Sequence, residues 1–261
     1  MKRCEYVCIF LALMFCANVS IAASKKVRRK TTKVKRVDKS QPAESQVVEP
    51  WAEWGQAAWT ATKFAVNTKW RTGAHFRSII INGPTAVGTP GCLVGPSLTS
   101  TIETKMRAEG VPSHIAQKFA TAVNSAWKAW ESYVTVPGLP WYPNFGAVPA
   151  PVAPPTPNVP TPLVVLTSAK YTEVTSQAKL KQRIENALGA DASSEAAKTA
   201  ISAFALTFTQ RFLIWSSSVQ VTGVLGTGPV PAFSPPYVPV GNVLGGNILP
   251  AGSHFMTAIQ F

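Results

Sequence analysis

The sequence predicts a helix-rich α+β domain, built from repeated units of a helix, a short strand and a long Gly/Pro-rich loop. Two observations predict this class. Apolar residues recur at the 3.6-residue helical period in three long segments. Short runs in which Val alternates with polar residues come after them, and a glycine closes these runs, which is typical of short strands with one buried face.

The three long segments are predicted as the main helices of the domain. The first covers 51–70, the second begins at Ser113, and the third covers 194–215. Each places aromatic and aliphatic side chains on one stripe, so each is expected to bury that stripe against the others.

Two shorter helices are predicted before the second and the third long helix. Gly110 and Gly189 stand where a glycine ends a helix. Ser100 and Glu103 have the spacing of a capping box at the start of the first short helix. Asp191 stands where the N-cap of the third long helix is expected.

A sequence motif, W-x-S-x-V-x-V-x-G, occurs twice at an offset of 85 residues, at 130–138 and 215–223. A weaker and shorter copy covers 76–83. Both full copies come after a short helix, a glycine and a long helix, an order that favours internal duplication over coincidence. The folded domain, 51–261, is therefore expected to contain three related units, about 51–98, 99–163 and 164–261.

The N-terminus has the pattern of a cleaved secretory signal over residues 1–23. Lys2 and Arg3 precede the apolar run 7–15, which is too short to span a bilayer, and Ala22 and Ala23 offer a small-residue cleavage site. The sequence therefore predicts export, to the periplasm or the outer membrane rather than fully outside the cell. No transmembrane span is expected in the mature chain.

Residues 24–50 are predicted to form a disordered basic tail and linker. A block of like charges repels itself and buries nothing. Export makes anionic envelope polymer or lipid the expected partner, and argues against nucleic acid; a solvated linker without a partner is the alternative. The candidate binding residues of the tail are Lys25, Lys26, Arg28, Arg29, Lys30, Lys33, Lys35 and Arg36.

The loop after the second long helix is rich in proline, with ten prolines over 137–162. Proline favours the extended polyproline conformation, so this segment is predicted to be a semi-rigid arm that reaches a neighbouring subunit. Trp141, Tyr142 and Phe145 at its base are the candidate partner-binding residues. The alternative is an arm that wraps its own domain.

No pattern of residues predicts catalysis, a cofactor or a metal site. Cys92 would need His75 or His114 as a base, and Ser125 with Lys128 matches S-x-x-K without its companion motifs. Packing is the more economical explanation of these residues, so we expect no enzyme activity.

Only 14% of the residues are charged, against about 25% in typical soluble domains. A surface this poor in charge is more often covered by neighbours than by water. The leading hypothesis is a non-catalytic structural subunit of an exported bacterial cell-envelope assembly, such as a secretion apparatus or surface structure, that forms homo- or hetero-oligomers with other protein subunits. The alternatives are a periplasmic binding module tethered by its basic tail, and a wall-active hydrolase.

Overall fold

A computed structural model describes residues 50–250, 253–257 and 259–261. These residues belong to one compact unit that extends to Phe261. The predicted signal and nearly all of the basic tail, with its eight candidate residues, lie outside the described residues.

Helices supply the larger share of the regular structure. The first helix continues without interruption into a π-helical stretch, Ala65–Trp70, and then into a short third piece. The α-helices are α1 Trp51–Phe64, α2 Arg71–Gly73, α3 Thr99–Ala108, α4 Ser113–Ser132, α5 Thr172–Thr175, α6 Gln177–Leu188 and α7 Glu195–Ser218.

Short strands form three sheets in the described chain. The largest is seven-stranded, with the order β6-β10-β11-β2-β3-β5-β8; β12-β9-β7 form a three-stranded sheet, and β1 pairs with β4. The pairings are antiparallel. The strands are β1 His75–Phe76, β2 Ile79–Asn82, β3 Thr85–Gly88, β4 Leu93–Val94, β5 Val134–Pro140, β6 Val152–Pro157, β7 Thr161–Pro162, β8 Thr167–Ser168, β9 Val219–Val221, β10 Leu225–Pro229, β11 Gly246–Ile248 and β12 Phe255–Thr257.

The mixed α and β composition and the five substantial helices agree with the predictions from periodicity. Gly189 comes directly after α6, and Gly110 follows Glu109, the residue after the end of α3; their positive φ values of 62° and 83° are ones that a residue with a Cβ adopts only under strain. Two capping predictions are wrong. α3 starts at Thr99 without a side-chain cap, and Ser194, not Asp191, caps α7.

Tryptophan side chains form the centre of the helical core. Trp70 has its ring centroid 5.3 Å from that of Trp127, 5.9 Å from Trp130, 5.6 Å from Trp215 and 5.0 Å from Phe255. Aromatic pairs at these separations add stability beyond the area that they bury. This cluster joins the first helix to α4, α7 and the C-terminal strand.

A largely buried ion pair lies beside the tryptophans. Trp70 Nε1 donates a hydrogen bond of 2.6 Å to Glu131 Oε2, and Lys128 Nζ lies 2.5 Å from Glu131 Oε1. Lys128 also donates to the Gly95 carbonyl oxygen. Gly95 is required here, because a Cβ at this position would collide with Trp70 and Glu131.

The proline-rich segment folds back onto its own domain. Its residues 152–157 form β6, which pairs with β10 at the edge of the seven-stranded sheet, and residues 161–162 form β7. Proline is tolerated at an edge because the lost N–H would face solvent. Within the described chain this segment is thus an edge strand and not a projecting arm, so the alternative prediction describes it better.

The sheets do not confirm three equivalent units. Of the strands that follow the three long helical segments, β2 and β9 bury alternate residues as predicted, and β5 does so over Val134–Val136 before the alternation breaks at Gly138. However, β2 and β5 belong to the seven-stranded sheet, whereas β9 lies in the three-stranded one. The motif therefore predicts the local strand correctly but not its place in a sheet.

Among the described residues, no helix combines the length and the apolar character that crossing a membrane would require.

Candidate interaction surface

Charged residues of the folded part are confined to the helical segments and the residues that flank them. Asp, Glu, Lys and Arg do not occur in 78–102, 132–169 or 212–261. All strands of the seven-stranded and three-stranded sheets lie within these three segments. The chain therefore separates into charged helical segments and charge-free sheets.

The seven-stranded sheet has one buried and one exposed face. Ile79 and Ile81 of β2 are buried, and so are Ala86 of β3, Leu139 of β5 and Ala153 of β6. Side chains alternate between the two faces of a strand. The other face, which we call the outer face, is therefore formed by the residues between them.

Register places apolar side chains next to each other at the centre of the outer face. Ile80 of β2 is directly opposite Val87 of β3, and these residues are 49% and 47% exposed. Val152 at the edge is 57% exposed. Antiparallel sheets that face water normally carry charged or polar residues on the exposed face, and exposed edges are often protected by charge.

The polar residues of the outer face are amides and hydroxyls. Asn247 of β11 pairs with Ile80 on one side and with Thr227 of β10 on the other. Asn82 pairs with Thr85 at the end of the β2–β3 hairpin. Amides and hydroxyls both donate and accept hydrogen bonds, unlike Lys, Arg or ionised carboxylates.

Exposed large hydrophobic side chains are concentrated in the same charge-free segments. Among the described residues, those outside the three segments are Phe64 and Leu206. Tyr237, 89% exposed, stands on a proline-rich turn in which Ser234 and Val238 form a β-bridge. Contiguous apolar patches, rather than single exposed side chains, are the ones that mark interaction sites, and Ile80 with Val87 is a pair that register places side by side.

The sequence-predicted aromatic residues are not all accessible to a partner. Trp141 and Phe145 are buried, and Trp141 Nε1 donates a hydrogen bond of 3.0 Å to the Thr156 carbonyl oxygen, which fastens the proline-rich segment to its own domain. Tyr142 is 44% exposed. Of these three residues, Tyr142 alone presents a large part of its side chain to solvent.

The residues considered for catalysis have structural partners. Cys92 is buried, and burial raises the pKa of its thiol, which disfavours the nucleophilic thiolate. Lys128 contacts Glu131, and Ser125 accepts a hydrogen bond of 2.8 Å from Arg183. Within the described ranges, no group of three His, Cys, Asp or Glu residues is arranged to hold a metal ion.

A groove of about 710 Å³ lies between α1 and α7. Small residues such as Ala52, Gly55 and Ala203 line it, together with Trp59 and Phe204. Its size is in the range of small-ligand sites, but it is an open furrow between two helices. None of its lining residues belongs to the outer face of the sheet.

Motifs and periodicity do not reveal the outer-face residues Ile80, Val87, Val152 and Asn247. Their signal is present in the sequence, because long stretches without any charged residue coincide with short alternating strands. The overall content of charged residues shows that the chain has few of them, but not which segments lack them.

Comparison with known proteins finds no matching family model, no similar curated protein and no similar solved structure.

Proposed function

We propose that this protein is a non-catalytic structural subunit of an exported cell-envelope assembly, and that it contacts neighbouring subunits through the charge-free outer face of its seven-stranded sheet. The observation that supports this proposal is the separation of charge, which leaves exposed Ile80 and Val87 among neutral residues. Interface cores are depleted in charged residues in the same way. The signal pattern over residues 1–23 supports export to the periplasm or the outer membrane.

Replacing one outer-face residue with lysine tests this proposal. We expect that affinity-tagged protein purified from envelope extracts retains its partner subunits, and that Ile80→Lys loses at least roughly nine-tenths of them, because a buried unpaired charge destabilises an interface. Leu206→Lys is the matched control, since Leu206 is 43% exposed on α7. The measurement is quantitative mass spectrometry of the co-purified proteins. Equal retention by both variants would contradict the proposal.

A second candidate, a binding module tethered by its tail, is favoured by the groove between α1 and α7. In that case the cationic residues 24–40 hold the protein on anionic wall or lipid while the groove takes a ligand. Deleting 24–40 is expected to abolish co-sedimentation with anionic envelope material, and high salt should have the same effect. Deleting 41–46, which contains no Lys or Arg, is the control. Salt-insensitive binding by the deleted protein would exclude tethering by charge.

A further inference from the structure

We infer that the partner of the outer face is a second copy of the same chain, with the two sheets packed face to face about a two-fold axis. This inference rests on the proposed function and specifies its partner. Three properties support it: the chemical character of the outer face, the charge of the rest of the chain, and the size of the sheet.

The chemical character of the outer face suits contact with its own image. At a two-fold interface, each patch meets the same patch of the other subunit. Ile80 and Val87 would meet apolar side chains, with Asn247 beside Ile80 and the Asn82–Thr85 pair at the end of the hairpin, where the Asn82 amide oxygen already accepts a hydrogen bond from the Gly245 N–H. Because amides and hydroxyls both donate and accept, each can bond to an identical group. A face lined with Lys or Glu would repel its own image.

The net charge restricts where two copies can approach. The folded part, 50–261, carries 14 Lys and Arg against 8 Asp and Glu, a net charge of +6, so an approach of two copies through their helical segments brings like charges together. The seven-stranded sheet has no charged residue on any of its strands within the described chain. Contact through this sheet leaves the cationic helical segments outside the interface and in water. The same argument does not favour an acidic partner, which would be drawn to the helices and the tail.

The size of the sheet determines how strong the contact should be. Seven strands at a spacing of about 4.8 Å make a sheet roughly 29 Å wide, and about four residues per strand make it roughly 13 Å deep. The resulting area of about 400 Å² is half of the roughly 800 Å² per partner that standard interfaces bury. A weak dimer, with a dissociation constant above about 1 μM, is therefore expected in dilute solution.

Sedimentation equilibrium of the purified full-length exported chain, from about 1 μM to about 1 mM, tests this inference. We expect the weight-average mass of the wild type to rise from monomer toward dimer. Ile80→Lys and, separately, Ile80→Glu should each raise the dissociation constant at least about tenfold. An equimolar mixture of the two variants should recover much of the dimer, because opposite charges then face each other. Leu206→Lys should associate like the wild type.

Other outcomes would overturn the inference in distinguishable ways. If the wild type stays monomeric at about 1 mM, a second copy of the chain is excluded as the partner of the outer face. If, in addition, Ile80→Lys still loses its partners in envelope extracts, the proposed function stands and a different subunit occupies this face. Wild-type flotation with phosphatidylcholine vesicles that Ile80→Lys abolishes would assign the face to lipid instead. Circular dichroism and thermal unfolding of each variant should match the wild type, since residue 80 is half exposed.

Discussion

Trp70→Phe is expected to destabilise the folded domain by about 2 kcal/mol more than Trp127→Phe, although the two residues are the same type in the same cluster. Both lie fully buried with their ring centroids 5.3 Å apart, so both substitutions remove similar apolar volume. They differ in the indole N–H. Trp70 donates a hydrogen bond of 2.6 Å to the buried Glu131 carboxylate, whereas Trp127 Nε1 has no hydrogen-bond partner in the described chain. Loss of a bond to a charged group costs about 1.5–3 kcal/mol.

The measurement is urea unfolding of both variants, monitored by tryptophan fluorescence and circular dichroism. Glu131→Gln in the wild-type and Trp70→Phe backgrounds completes a double-mutant cycle and isolates the bond itself. Equal loss of stability in the two tryptophan variants would show that the hydrogen bond from Trp70 to Glu131 does not contribute to the free energy of unfolding.

Acidification from about pH 6.5 to about pH 4 is expected to lower the free energy of unfolding by up to about 3 kcal/mol through His254 alone. His254 is buried, its Nδ1 accepts a hydrogen bond of 3.0 Å from the Phe76 N–H, and its ring stacks on Phe76. Burial, with a smaller effect of the charge on His75, lowers the pKa of His254 from 6.5 to about 4.

The direction of this pH dependence follows from whether the folded or the unfolded chain binds the proton. Between about pH 6.5 and pH 4 the unfolded chain binds a proton on this histidine and the folded chain does not, so stability rises with pH in this window and falls on acidification. Below about pH 4 the His254 contribution is fully lost and the slope from this group vanishes.

His254→Gln keeps a hydrogen-bond acceptor but removes the titration, so its stability should depend less on pH across this window even if its absolute stability is lower. His114→Gln is the control, because His114 is exposed near Asp191. The measurement is urea unfolding at closely spaced pH values. A pH slope in the His254→Gln protein equal to that of the wild type would contradict the assignment.

Two carboxylates extend acid sensitivity to lower pH. Burial alone would raise the pKa of Glu173, but hydrogen bonds and charge from Arg183 and Lys179 outweigh it, and the net shift is downward from 4.5. The hydrogen bond from Lys118 lowers the pKa of Asp191 from 3.8. Both contribute stability that is present above these ordinary values and lost as the pH falls below them.

Local structure in this chain is largely predictable from sequence, because it depends on local patterns. The helical stripes predict α1, α4 and α7, and glycine predicts the ends of α3 and α6, since both signals act within one or two turns. The sequence places the N-cap of α7 too early, at Asp191 rather than Ser194, because several residues near a helix start have a suitable side chain. Asp191 instead forms an ion pair with Lys118.

Long-range pairing is what the sequence does not reveal. The proline-rich segment is predicted as an extended arm, and its residues are indeed extended, but its hydrogen bonds go to β10, some 70 residues away. The buried bond between Trp70 and Glu131 likewise joins residues 61 positions apart. Both depend on the tertiary fold, for which no local pattern carries information. The charge-free stretches are visible in the sequence, but register is needed to place Ile80 beside Val87 on one face.

We propose that the protein assembles through this charge-free outer face. The most direct test is site-specific photo-crosslinking in intact producing cells, with a photoreactive amino acid at position 80, 87 or 206. Positions 80 and 87 lie on the outer face, and position 206 lies on α7 with similar exposure. We expect crosslinks to partner subunits from positions 80 and 87 and little or none from position 206. Crosslinks from position 206 with none from the outer face would contradict the claim.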